Sequence, residues 1–254
     1  TALKGWISLK LLKSKSKIIF LDPDVMVFNT LKVIFDDLDK YPVILTPHYF
    51  YPKINNLVDD AALMRHGQYN LGFFAVNSSE HSQNFLSWWS ERCLALGFSD
   101  TQGGLMVDQK WVSIATTFFP FIHISFNPGL NVSFWNLDER VISCNPEGQY
   151  LINGSHNLIF FHFSSFNNSK PENLTKRSFM LGNNDSSEIG KLGFLYHQNL
   201  CKYLNISENT LYSFDYMTNG KYISPSLRRA YAACLENFSS DTNPFDGNGA
   251  VAVF

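Results

Sequence analysis

Apolar and polar positions alternate along the chain in blocks that sort into short strands and amphipathic helices. TALKGWISLKLLK reads as an amphipathic helix. KIIFL is an apolar run of strand length, and it stops at the turn-forming DPD, where Pro23 cannot continue a ladder. LKVIFDDLD predicts a helix, PVILTP a buried strand bounded by prolines, and HYFYPKINN a loop without period. VDDAALMRHG predicts a helix stopped by Gly67, and LGFFAVN predicts a strand. SSEHSQNFLSWWSERCLALG predicts a long helix with Ser79 as N-cap and Gly97 past its end, and Phe85, Trp88, Trp89 and Arg92 fall at helical spacings within it.

Further on come a turn at Gly103 and Gly104, a helix around LMVDQKWVSIA, the strand-like FIHISF, the loop NPGLNVSFWN and the strand LIFFHF ending at His162. From about residue 167 the texture changes to Asn, Ser, Lys and Pro. Helical stretches follow at EIGKLGFLYHQNLCKYL and SPSLRRAYAACLENF. The alternation of strand and helix predicts an α/β core over residues 1–166, with a mainly helical extension over 167–254.

Composition narrows the classes. With 254 residues, 45% of them hydrophobic and 17% charged, the chain can bury a substantial core. A net charge of −2 and a pI near 6.3 supply no global field for a polyanion, so nucleic acid is not an expected partner. Cys93, Cys144, Cys201 and Cys234 lack the C-x-x-C spacing of a zinc ribbon, and reduced thiols are expected. No run approaches the roughly 18 uninterrupted apolar residues of a membrane span. Lys4, Lys10, Lys13, Lys15 and Lys17 read as a solvated face, with at most peripheral contact to an anionic membrane.

Candidate chemistry gathers at strand ends. Asp22 and Asp24 follow KIIFL, at the carboxyl end of a strand, where open α/β sheets bind ligands, and two carboxylates there suit Mg²⁺ or Mn²⁺. The plain reading is that both only shape a turn, and a chain this long contains roughly one D-x-D pair by chance. His162, also at a strand end, is the candidate third ligand, since imidazole partners carboxylates on Mn²⁺. A lone histidine beside an apolar run is more often a satisfied core residue, and His48 shares that ambiguity. Asn70 and the cluster Asp108, Gln109 and Lys110 interrupt apolar segments, where they serve sugar hydroxyls or merely helix caps. Trp135, Phe134, Trp111 and Tyr69 stack on a sugar or pack the core.

The ordered set LDPDVMVF, VILTPH, GQYNLGFFAVNSSEHSQNFLSWWSERC, GLMVDQKWV, NPGLNVSFWNLDER and FFHFSSF resembles bacterial GT-A-type glycosyltransferases of surface polysaccharide synthesis. The order D-x-D, N-x-G, D-Q and a late H-F-x-x-F also resembles glycosyltransferase family 8, whose members retain anomeric configuration. The resemblance implies a GT-A-like mixed sheet flanked by helices. It makes Asp22, Asp24 and His162 the metal ligands, with Mn²⁺ or Mg²⁺ as cofactor. It places Asn70 and Asp108 at the donor sugar or acceptor and Gln109 near the anomeric carbon, with Asp108 the general base if the enzyme inverts; Gly72, His48, Lys110 and Trp135 are the further substrate-binding candidates. A nucleotide-diphosphate sugar donor and a glycan or lipid-linked acceptor follow, in the cytoplasm at the inner face of the membrane. The late motif HFSSF departs from the family 8 form H-x-x-G-x-x-K-P. Only one helix precedes the D-x-D strand, so a strand-helix unit gripping the nucleoside is expected upstream of Thr1.

Two other classes stay open at this point. A sugar nucleotidyltransferase also sets metal-binding carboxylates on such a sheet, but needs a Gly-rich basic loop that this sequence does not display. A non-catalytic sugar-binding scaffold on the same fold is the other.

Overall fold

The computed structural model describes residues 1–54, 58–177, 187–203, 211–239 and 241–253. Its elements run α1 (Lys4–Leu11), β1 (Lys17–Leu21), β2 (Val25–Val27), α2 (Lys32–Asp37), β3 (Val43–Leu45), α3 (Asp60–His66) and β4 (Phe73–Asn77). There follow α4 (Glu80–Leu96), β5 (Ser99–Asp100), β6 (Leu105–Met106), α5 (Gln109–Phe118) and β7 (Ile122–Ile124). The remainder are β8 (Ile142–Cys144), β9 (Tyr150–Ile152), β10 (His156–Asn157), β11 (Phe160–His162), α6 (Ser187–Cys201) and α7 (Pro225–Ala233). Two compact units divide the chain, Thr1–Asn199 and Leu200–Phe254. The compositional change near residue 167 falls inside the first.

The first unit is an α/β structure with a mixed sheet flanked by helices, the class expected. Its main sheet has the order β1-β4-β3-β7, antiparallel except for the parallel pair β3 and β7. Side chains on a strand alternate between faces, and here both faces are covered. Val43, Leu45, Phe74 and Val76 pack with Phe85, Leu86 and Trp89 of α4 and with Val112 and Ala115 of α5. Ile44, Phe73 and Ala75 pack on the other side with Ile34 of α2, with Leu38 just past its end and with Phe160. A strand buried on both faces has no polar side to show, which is why PVILTP and LGFFAVN read as unbroken apolar runs.

Helix α4 begins where its cap predicts: the Ser79 hydroxyl accepts the Ser82 amide. The helix expected around LMVDQKWVSIA starts only at Gln109, because Leu105–Met106 pair with Ser99–Asp100 across the Gly103–Gly104 turn. Gly104 holds φ +77° there. Besides β5 and β6, two sets of strands were not anticipated: β2, which pairs antiparallel with β11, and the meander β8-β9-β10. In the second unit, Ser224 caps α7 by accepting the Leu227 amide, with Pro225 in its first turn. No described helix is long and apolar enough to cross a membrane.

Candidate metal centre and adjoining pocket

The sequence Asp22-Pro23-Asp24-Val25 closes a tight turn through the Val25 amide and the Asp22 carbonyl, 3.1 Å apart. Proline at the second position presets that turn. The ladder of β1 and β4 extends one step past its last paired residues, the Asp22 amide donating to the Gly72 carbonyl at 2.8 Å. On the far side of the turn β2 pairs with β11, with His162 opposite Val25, and the Phe163 amide donates to the Asp24 carbonyl. That register delivers an imidazole, more than 130 residues away in sequence, to the D-x-D turn.

Ligand atoms of Asp22, Asp24 and His162 all lie within 4.8 Å of one another. His162 Nε2 is 3.0 Å from Asp24 Oδ1. Burial by itself raises the Asp24 pKa. The His162 hydrogen bond and charge, with a smaller contribution from Lys4, outweigh that and hold the group below the usual carboxylate range. His162 is almost wholly buried, and its Nδ1 has no hydrogen-bond partner. The ring is seated on Gly72, where a Cβ would collide with Cε1 and Nδ1. A mixed set of carboxylate oxygens and imidazole nitrogen in this spacing fits Mn²⁺ or Mg²⁺ chemistry.

A lysine missed by the sequence reading completes the surroundings. Lys4, expected on a solvated face, is 8% exposed. Its ammonium lies 2.8 Å from the Leu71 carbonyl, 3.0 Å from Asp22 Oδ1 and 3.2 Å from Asp108 Oδ2. Lys4, Gly5 and Ser8 form the buried stripe of α1, and a Cβ on Gly5 would come within 2.6 Å of Ser90 Oγ on α4. The small residues at 5 and 8 were the available signal that this helix face is an inner one.

Beside the triad lies a cavity of about 300 Å³, lined in part by His48, Tyr49, Asn70, Gln109, Phe134 and Trp135. Trp135 links the two sites, its ring edge-on to His162 at 5.3 Å and to His48 at 5.6 Å. Asn70 links them a second time: its Oδ1 accepts the Gly72 amide at 3.0 Å and the Asn131 amide group at 3.1 Å. His48 is half-buried, and its removal from water among its neighbours pushes its pKa down to about 4. It therefore faces Asn70 as a neutral imidazole, Nε2 to Nδ2 3.5 Å. Larger hollows beside α1 and beside Val27–Thr30 are lined by none of the triad or its direct contacts.

Five of the sequence-predicted residues, His48, Asn70, Gln109, Phe134 and Trp135, thus meet in one cavity. Gln109 has its amide engaged on both sides, accepting the Leu71 amide at 3.1 Å and donating to the His66 carbonyl at 2.8 Å. Gly72 lies under His162 instead. Asp108 is 2% exposed and faces Lys4, its own carbonyl accepting Trp89 Nε1. Lys110 donates to the Met64 carbonyl near the end of α3. Glu139 went unnoticed: its carboxylate accepts the Phe50 and Tyr51 amides and ties down the loop that follows His48.

No family model matches the chain. Over 151 residues it is 25% identical to "Uncharacterized protein YfnF" of Bacillus subtilis (strain 168), an alignment covering 59% of this chain and 50% of that protein. The chain thus spans about half the length of this curated relative. A solved structure of a glycosyltransferase involved in the glycosylation of the major capsid of PBCV-1 overlaps 70% of this chain and 75% of its own, at 11% identity and a TM-score of 0.42.

Proposed function

We propose that this chain carries the metal centre and the acceptor-facing pocket of a GT-A-like glycosyltransferase, which moves a sugar from a nucleotide-diphosphate donor to a hydroxyl of a surface glycan or lipid-linked acceptor. The observation that carries the reading is the convergence of Asp22, Asp24 and His162 on one point, next to a cavity lined by Asn70, His48 and Trp135. Asp22, Asp24 and His162 would hold Mn²⁺ or Mg²⁺. A divalent cation supplies charge neutralisation for a departing diphosphate when bound.

The chain's own groups supply the rest. Lys4 fixes the Asp22 carboxylate and balances Asp108, so the centre is not left with two uncompensated acids. His48, neutral at physiological pH, and Asn70 offer hydrogen bonds to sugar hydroxyls without adding charge. Gln109, held by the Leu71 amide and the His66 carbonyl, lines the pocket and is the residue we assign to the neighbourhood of the anomeric carbon. Trp135 presents an apolar wall against which a sugar face packs.

Titration of the intact protein with Mn²⁺, followed by a sugar-transfer assay over a panel of nucleotide sugars, tests the reading. Asp22→Asn with Asp24→Asn is expected to abolish Mn²⁺ binding and lower transfer by about a hundredfold or more. Unchanged donor turnover in that variant would sink the proposal. Pyrophosphate release without sugar transfer would favour a nucleotidyltransferase.

A further inference from the structure

One rim of the pocket is built from basic side chains. Arg65 and His66 close α3, Lys110 reaches back to the same helix end, and Arg177 arrives from the segment after Thr175. Three of the four, Arg65, His66 and Arg177, line the cavity itself. Cations at the end of α3 suit its dipole and would need no ligand to explain them. Arg177 does not belong to that helix. Its guanidinium lies 5.8 Å from the Phe134 ring centroid, and it forms no ion pair with a carboxylate among the described residues. The nearby acids are weakly available: Asp59 stands 3.9 Å from Arg65, and Asp60 already accepts the Tyr49 hydroxyl and the Lys53 amide. The His66 pKa is lowered, first by burial and then by Arg65, Arg177 and Lys110, a sign that these charges converge. Trp135, which lines the same cavity, has a buried indole N–H with no acceptor.

A neutral sugar would leave Arg177 with no carboxylate partner among the described residues, and Arg65 with only Asp59 at 3.9 Å. We infer that the pocket binds a saccharide carrying an oxyanion, a phosphate or a carboxylate, with the sugar against Trp135 and the anion on Arg65 and Arg177. In calling that saccharide the acceptor, the inference rests on the proposed glycosyl transfer. The binding preference itself does not. Guanidinium groups pair with phosphate and carboxylate through charge-assisted, often bidentate, hydrogen bonds.

The test is calorimetry on the intact protein, in Mn²⁺, with glucose 6-phosphate, glucuronate and glucose as probes. Glucose 6-phosphate or glucuronate is expected to bind at least about tenfold more tightly than glucose, and the stronger of the two identifies the anion. Arg65→Gln with Arg177→Gln should erase that preference and leave Mn²⁺ affinity and melting temperature in place, since both side chains are exposed. Equal affinity for all three probes, binding of none, or a preference that survives the double variant overturns the inference. So does full displacement of glucose 6-phosphate by uridine diphosphate, which would give the rim to the donor. The variant Asp22→Asn with Asp24→Asn separates the two proposals: transfer that survives in it while the anion preference stands sinks only the catalytic reading, and transfer lost in it while the wild-type chain shows no anion preference sinks only this one.

Discussion

Gly72 and His162 show how little room the metal centre leaves. A methyl group at Gly72 would strike the imidazole ring, so Gly72→Ala is expected to lower Mn²⁺ affinity by about tenfold or more and to destabilise the fold by roughly 1–3 kcal/mol. Calorimetry and urea denaturation read the two effects separately. His48 makes a pH prediction whose sign follows from its depressed pKa. The unfolded imidazole takes its proton near pH 6.5 and the folded one near 4, so the folded state binds fewer protons in between. The stability it contributes is therefore complete above about pH 6.5 and is lost as pH falls toward 4. Between about pH 7.5 and 4.5 the wild-type chain should lose about 2 kcal/mol more than His48→Gln, and equal losses would remove burial of the neutral ring as the cause. Asp22, Asp24 and His162 were legible from sequence because strand-end position restricts them. Lys4 was not, since one more lysine on a lysine-rich helix carries no mark of its partner.

Among the elements, α1 is fixed to the sheet by that lysine. Lys4→Met leaves Asp108 buried opposite Asp22 with no cation between them, and should cost roughly 3 kcal/mol. Adding Asp108→Asn should restore most of the loss, because it removes the orphaned charge. If the single variant melts like the wild type, the bridge contributes nothing. Helix α4 tests a local rule: Ser79→Ala removes the acceptor of the Ser82 amide and should cost about 1 kcal/mol in a thermal or urea melt. Long periodic elements such as α4, and the apolar runs of β1, β3 and β4, were readable because many positions repeat one pattern. β2 and β8 to β10 have two or three residues each, too few to show alternation. The overlooked signal was Asn153-Gly154, which takes φ +52° and +74° in the turn between β9 and β10, a favoured hairpin turn.

At the scale of the whole molecule, the triad and its pocket lie entirely within the unit Thr1–Asn199. A chain ending after α6, at Tyr203, should therefore bind Mn²⁺ within about threefold of the full chain. A larger loss would mean that residues 204–254 support the centre. By itself the sequence determined the α/β class, the order of the main elements and the residue types able to bind a cation, because each depends on local periodicity and on chemistry carried by single residues. Only the tertiary structure decided that His162 meets Asp24, that Lys4 lies between Asp22 and Asp108, and that Arg177 shares a rim with Arg65. Those meetings are set by strand register and helix docking. Both depend on contacts between segments distant in the chain, which no local pattern encodes.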